Sequence, residues 1–216
     1  MIKIAEVMRV KEKYPDLIGL SDIMDTYQRH QIETLNWKDF DYKPDVNFSV
    51  AYNYDEILLK FRVRERFCKA EMTESNQNVY EDSCVEFFVS PFQDGIYYNM
   101  EFNALGTCLM GCGTGRADRE RADPLVIEGI RRLSSEGNKP FPEKEGDFAW
   151  TLTIAIPFSV FYRHKITSLS GKKISANFYK CGDKLSQPHY LTWNPVETMK
   201  PDFHRPEYFG ELKFIS

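Results

Sequence analysis

Asn47-Phe48-Ser49-Val50-Ala51-Tyr52, a turn at Asn53-Tyr54-Asp55, then Ile57-Leu58-Leu59-Lys60-Phe61-Arg62-Val63: the fold turns on this stretch. Phe48, Val50 and Tyr52 alternate along the first run. Ile57, Leu59, Phe61 and Val63 alternate with Glu56, Leu58, Lys60 and Arg62 along the second. Successive side chains of a strand point to opposite faces, so a period of two on both sides of a turn predicts a hairpin with one buried face.

The same period returns in Cys84-Val85-Glu86-Phe87-Phe88-Val89, which stops at Ser90-Pro91 and an Asp94-Gly95 turn and resumes from Tyr97 to Leu105. It recurs in Trp150, Leu152, Ile154 and Ile156 ahead of Pro157, in Ile174, Ala176 and Phe178, in Tyr190 to Trp193, and in Phe209 to Phe214. Eight or more short strands, with no long amphipathic helix and no internal repeat, predict an all-β chain. We expect one domain over residues 1–216, a two-sheet antiparallel β-sandwich of immunoglobulin-like or jelly-roll type. Residues 64–80 and 111–124 are polar and read as loops, the first beside a site.

Composition narrows function. Lys and Arg number 28 against 32 Asp and Glu, a net charge of -4, which argues against nucleic acid or an anionic membrane as partner. Charges interrupt Met1 to Arg9 and no window reaches about 18 apolar residues, so no signal peptide or spanning helix is visible. A cytoplasmic location is expected for the chain as it stands, and a secreted or periplasmic one if a leader has been removed. The five cysteines (Cys68, Cys84, Cys108, Cys112, Cys181) are odd in number and lie in apolar runs, as buried reduced thiols do. Cys108 and Cys112 are too isolated from other ligand residues to read as a metal pair, and His30, His164, His189 and His204 lie far apart. Gly111, Gly113 and Gly115 fall short of a dinucleotide loop because Arg116 stands where a further glycine belongs and no helix follows. They read as a flexible hairpin end. No nucleophile and base pair is visible, so no catalytic residue is assigned.

The sheet carries a more informative pattern. Tyr98, Met100 and Phe102 claim the core, so Asn99, Glu101 and Asn103 project together from the other face; Val85, Phe87 and Val89 likewise send Glu86 outward. A row of amides and carboxylates suits sugar hydroxyls, each of which donates and accepts hydrogen bonds. A solvated outer face accounts for the same pattern. So does a glycoside hydrolase that uses Glu86 and Glu101 as its carboxylate pair. A third reading is a scaffold that contacts another protein around Trp193. Tyr80, ahead of the Glu86 strand, and Trp193, before Asn194-Pro195, are placed at strand ends where a ring can pack on a sugar's C–H face.

Taken together, the segments Tyr80 to Val89, Tyr97 to Asn103, Trp150 to Pro157, Ala176-Asn177-Phe178-Tyr179-Lys180 and Trp193 to Phe214 resemble a family-9 carbohydrate-binding module. The resemblance extends to Trp37 through Val63. It implies a β-sandwich that binds a saccharide unit or chain end between two rings, serves polysaccharide degradation and is attached to xylan-degrading glycoside hydrolases. It assigns the rings to Tyr80 and Trp193 and the gripping carboxylate to Glu86, with Asn99, Glu101, Asn103 and Asn177 as further ligand-binding positions. Tyrosine stands where well-known members carry the first tryptophan. Asn99 falls on an arginine position and Glu101 on an asparagine position, so the ligand is not held as in those members. No cofactor is expected. Structural calcium is implied by the resemblance alone, and Asp39, Asp41 and Asp45 make a poor loop for it, since Lys43 and Pro44 interrupt them.

Overall fold

The structure, a computed structural model, describes residues 2–10 and 16–216. Met1, the first residue of the N-terminus read above, lies outside them. The described chain runs through β1 (Ile4–Arg9), α1 (Leu17–Met24), β2 (His30–Gln31), β3 (Thr34–Leu35), β4 (Asp45–Tyr52) and β5 (Glu56–Ala70). There follow β6 (Cys84–Ser90), β7 (Tyr97–Asn103), β8 (Cys108–Gly113), β9 (Glu120–Arg121), α2 (Pro124–Glu128) and β10 (Arg131–Ser134). The chain ends through β11 (Phe141–Pro157), β12 (Lys173–Cys181), β13 (Tyr190–Thr192) and β14 (Gly210–Phe214).

The opening stretch forms the predicted hairpin, β4 against β5, from Tyr52 opposite Ile57 to Asp45 opposite Arg64. Asn53 fixes its turn by accepting from the backbone N–H groups of Asp55 and Glu56 at 3.0 and 2.8 Å. β5 then continues through the polar residues 64–70, where a loop was expected, because the first half of β11 pairs with it. Exposed ion pairs of Arg64 with Asp147 and Arg66 with Glu145 join those two strands. The other expected loop, 111–124, begins as strand with 111–113 in β8, contains 120–121 of β9, and ends at Pro124, the first residue of α2.

One sheet runs β10-β11-β5-β4 and the other β14-β12-β6-β7-β8-β9. The sandwich is not purely antiparallel: β1 lies parallel to β14 over Ile4 to Val7 and parallel to β4 at Met8 and Arg9. By crossing from one sheet to the other it pairs with an edge of each, which removes two open edges.

Between the sheets the alternating apolar residues meet as rings. Phe178 of β12 stacks on Phe48 of β4 at 3.6 Å between centroids and on Phe87 of β6 at 4.9 Å. The same interior holds a buried pair, Lys180 with Glu65 at 2.9 Å, and Glu65 also accepts from Trp150 Nε1 at 2.7 Å. On the outside of the first sheet, α1 lays Leu20 and Met24 over Ala51, Leu58 and Ala155. Asp16 caps that helix by accepting from Gly19 N at 2.6 Å. The outer face of the second sheet is covered as well. Trp37, Val79, Val196, Phe203 and Phe209, from loops and from the turn before β6, pack on Phe88, Tyr97, Leu109 and Tyr179. This third layer encloses the face on which Glu86 and Glu101 stand.

Candidate functional site

Glu86 of β6 sits directly opposite Glu101 of β7, and Tyr179 of β12 is opposite Glu86 on its other side. The parity argument therefore holds: both carboxylates share the outer face. That face is not solvated, since Glu86 is 3 % and Glu101 2 % exposed. They form the floor of a small recess of about 90 Å³ that opens to solvent. Tyr80, Tyr190 and Phe203 supply rings around it, and Arg116, Arg119, Cys181, Asp183, Asp202 and His204 complete its walls.

The sequence-predicted residues divide. Tyr80, Glu86 and Glu101 come together in this recess. Asn99 is buried beside it and donates to Glu101 Oε1 at 3.0 Å, holding the carboxylate rather than facing the opening. Asn103 is consumed by structure: it donates to Met72 O and Asp82 Oδ2 and accepts from Leu105 N and Thr107 N. Asn177 likewise bonds the backbone of Phe178 and Asn194. Trp193 is placed away from the recess. It is 2 % exposed and lies between the sheets, edge-on to Phe48 at 5.8 Å and to Phe178 at 5.7 Å. The reason is again parity: Leu191 and Trp193 point inward, which turns Tyr190 toward the site. Its six-membered ring also needs Gly210, where a Cβ would come within 2.5 Å of it. Asp39, Asp41 and Asp45 are exposed, with Asp45 opposite Arg64 in the β4–β5 hairpin.

Sequence reading missed Tyr190, Phe203, Arg119, Asp183 and Cys181. Alternation could have found two of them, since inward Phe178 and Lys180 imply outward Tyr179 and Cys181, and inward Leu191 implies outward Tyr190. Arg119 and Phe203 come from segments without a period. The glycines read as a flexible end turn out to seat Arg119: a Cβ on Gly113 would meet Arg119 Cα at 2.6 Å, and one on Gly111 would meet Asn99 Oδ1 at 2.7 Å. Arg119 is thereby laid against the His204 ring, 2.9 Å from Nδ1, and Tyr97 Oη approaches the same nitrogen at 2.9 Å. Burial, and then Arg119, Arg116 and Arg121, push the His204 pKa down to about 2, so the imidazole is neutral.

Charge is the distinctive property of the floor. Burial, reinforced by repulsion from Glu101, raises the Glu86 pKa well above the carboxylate range, against a hydrogen bond from the Cys181 thiol at 3.2 Å. Burial raises Glu101 too, opposed by Arg119 and Arg121. Burial also lifts Asp183, to about 6. Two buried carboxylates side by side cannot both ionise cheaply, so the pair retains a proton near neutrality. It then offers a donor and acceptors on one surface, beside rings and guanidinium groups.

Three comparisons with known proteins bear on this site. The family model for carbohydrate-binding family 9 matches residues 19–214. Curated proteins give no match. Among solved structures, a Bacteroides uniformis protein provisionally described as carbohydrate-binding is 40% identical, with a TM-score of 0.96, covering 99% of this chain and 100% of its own. Two structures of a family 9 module from Caldicellulosiruptor kristjanssonii share the fold. The glucose complex is 12% identical at TM-score 0.54, covering 98% of this chain and 95% of that one. The cellotriose complex is 13% identical at TM-score 0.55, covering 99% and 94%. The match over residues 19–214, on a sandwich whose outer face carries a ringed, hydroxyl-compatible recess, shows that the chain belongs to carbohydrate-binding family 9.

Proposed function

We propose that the chain is a non-catalytic saccharide-binding domain whose ligand enters the recess on the outer face of β6, β7 and β12. The observation that carries this reading is the pair Glu86 and Glu101, buried on a common floor with Tyr80, Tyr190 and Phe203 around it. The rings pack on the C–H faces of a sugar, and the carboxylates take its hydroxyls. Trp193, between the sheets, supports the scaffold instead, so the ring opposite Tyr80 is Phe203 or Tyr190. The glucose and cellotriose complexes of the Caldicellulosiruptor kristjanssonii module support a hexose unit or chain end as ligand class. Service to polysaccharide breakdown alongside glycoside hydrolases, xylan-degrading ones among them, rests on the family resemblance. A glycan-array screen of the purified chain tests the reading: retention of a defined set of glycans supports it, and a blank array overturns it.

One observation favours a second reading, a glycoside hydrolase. Directly opposite residues on neighbouring strands have Cβ atoms about 5 Å apart, within reach of the roughly 5 Å carboxylate spacing of a retaining enzyme, and the raised pKa of Glu86 supplies an acid. Against it, both side chains rise from one floor rather than flanking a bond. Turnover of aryl glycosides that disappears in Glu86→Gln would establish the hydrolase; binding without turnover removes it.

A further inference from the structure

Five cysteines divide by parity. Cys68, Cys108 and Cys112 point into the core between the sheets, whereas Cys84 and Cys181 stand on the outer face. Those two are direct cross-strand partners on β6 and β12, and Glu86 lies two residues along from Cys84 on the same face. Two side chains at i and i+2 of one strand with a third directly across is a compact triangle. Here the Sγ atoms and a Glu86 carboxylate oxygen all lie within 4.8 Å of one another. Ligand bonds of about 2.3 Å to sulfur and about 2.0 to 2.2 Å to oxygen span a triangle of that size.

We propose that Cys84, Cys181 and Glu86 form a binding site for one zinc-class divalent cation at the floor of the recess. The donor set is two soft sulfurs and one carboxylate, which suits zinc over magnesium or calcium. Three protein ligands leave a fourth position open. Asp183 lines the same recess, and water or a ligand hydroxyl can take the fourth position. An entry path exists, because Glu86 and Cys181 both line the recess. Binding displaces the thiol protons, leaving two thiolates and one carboxylate on the ion and releasing two protons to solvent. The cation site shares Glu86 with the proposed saccharide recess, but its test does not require a sugar to be bound.

The test is titration of the reduced, metal-stripped full-length chain with Co²⁺, followed by displacement with Zn²⁺. The site predicts a sulfur-to-cobalt charge-transfer band saturating at one ion per chain and abolished by zinc. Cys181→Ser and Cys84→Ser should each weaken cobalt binding by more than about 100-fold, since even outer partners of a metal cost about 10–100-fold. Cys108→Ala, which alters a core thiol, should retain the band. Thermal melts of each variant separate ligand loss from unfolding, and any variant that unfolds is replaced by Glu86→Gln, read by the same band. A reduced wild-type chain without the band overturns the proposal. So does a band that survives in folded Cys181→Ser. Glycan binding that persists in the metal-stripped chain leaves the saccharide reading standing whatever the cobalt result.

Discussion

The two faces of β6, β7 and β12 are built from the same three strands in alternate residues, yet they do opposite things. Facing the other sheet, Phe87, Met100 and Phe178 belong to a buried apolar cluster with rings stacked as closely as 3.6 Å. Facing outward, Glu86, Glu101 and Cys181 are buried to the same degree but carry titratable groups. Burial stabilises the first set and penalises the charged forms of the second. On the function proposed above, that penalty is offset by a surface that takes polar ligands.

Substitutions on the two faces should separate. Trp193→Ala and Phe178→Ala, on the inner face, should each cost about 3–5 kcal/mol in urea unfolding, the usual range for large aromatic truncation in a core. Any folded Trp193→Ala should bind saccharide as the wild type does. A Trp193→Ala that keeps full stability and loses binding would merge the two faces and return Trp193 to the site. Phe203→Ala, on the outer layer, should weaken saccharide binding by about tenfold or more while costing less stability than Trp193→Ala.

Glu101→Gln sharpens the electrostatic half of the contrast. Removing one member of a like-charged buried pair should leave the fold as stable as the wild type or more so, while saccharide affinity falls. The pH dependence has a definite sign. Burial raises the folded pKa of Glu101 from 4.5 to about 7, so the folded state binds more protons and the wild type loses stability as pH rises through that window. The advantage of Glu101→Gln should therefore be largest near pH 8 and shrink toward pH 5, measured as the difference between two chemical denaturation series. An advantage that grows toward acid would contradict the raised pKa. The smallest effect belongs to the exposed edge: Arg64→Ala, which breaks the solvent-facing pair with Asp147, should change stability by no more than about 1 kcal/mol.

Periodicity made the inner face legible and the outer face only half so. Phe48, Phe61, Phe87 and Trp150 were identified as core by alternation alone, and the same rule put Glu86 and Glu101 on one surface. It failed where charge is buried. Glu65 and Lys180 pair inside the sandwich, so the second half of β5 reads as a polar loop. It failed again for Trp193, whose place next to a proline turn suggested an open strand end although parity points it inward. Phe203, His204 and Arg119 reach the recess from loops, where long-range packing sets position and no local pattern records it. Asn103 and Asn177 show the converse: their types suit a ligand, but neighbouring backbone groups claim their hydrogen bonds. Gly113 illustrates a third kind of information, a residue whose role is the space it leaves for Arg119.

The most direct test of the account is calorimetric titration of a glycan taken from the array into the wild type, Phe203→Ala and Trp193→Phe under one set of conditions. The account predicts that Phe203→Ala loses about tenfold or more in affinity and that Trp193→Phe retains it, because only the first ring borders the recess. Affinity lost in Trp193→Phe and kept in Phe203→Ala would contradict it and move the binding site to the other side of the sheet.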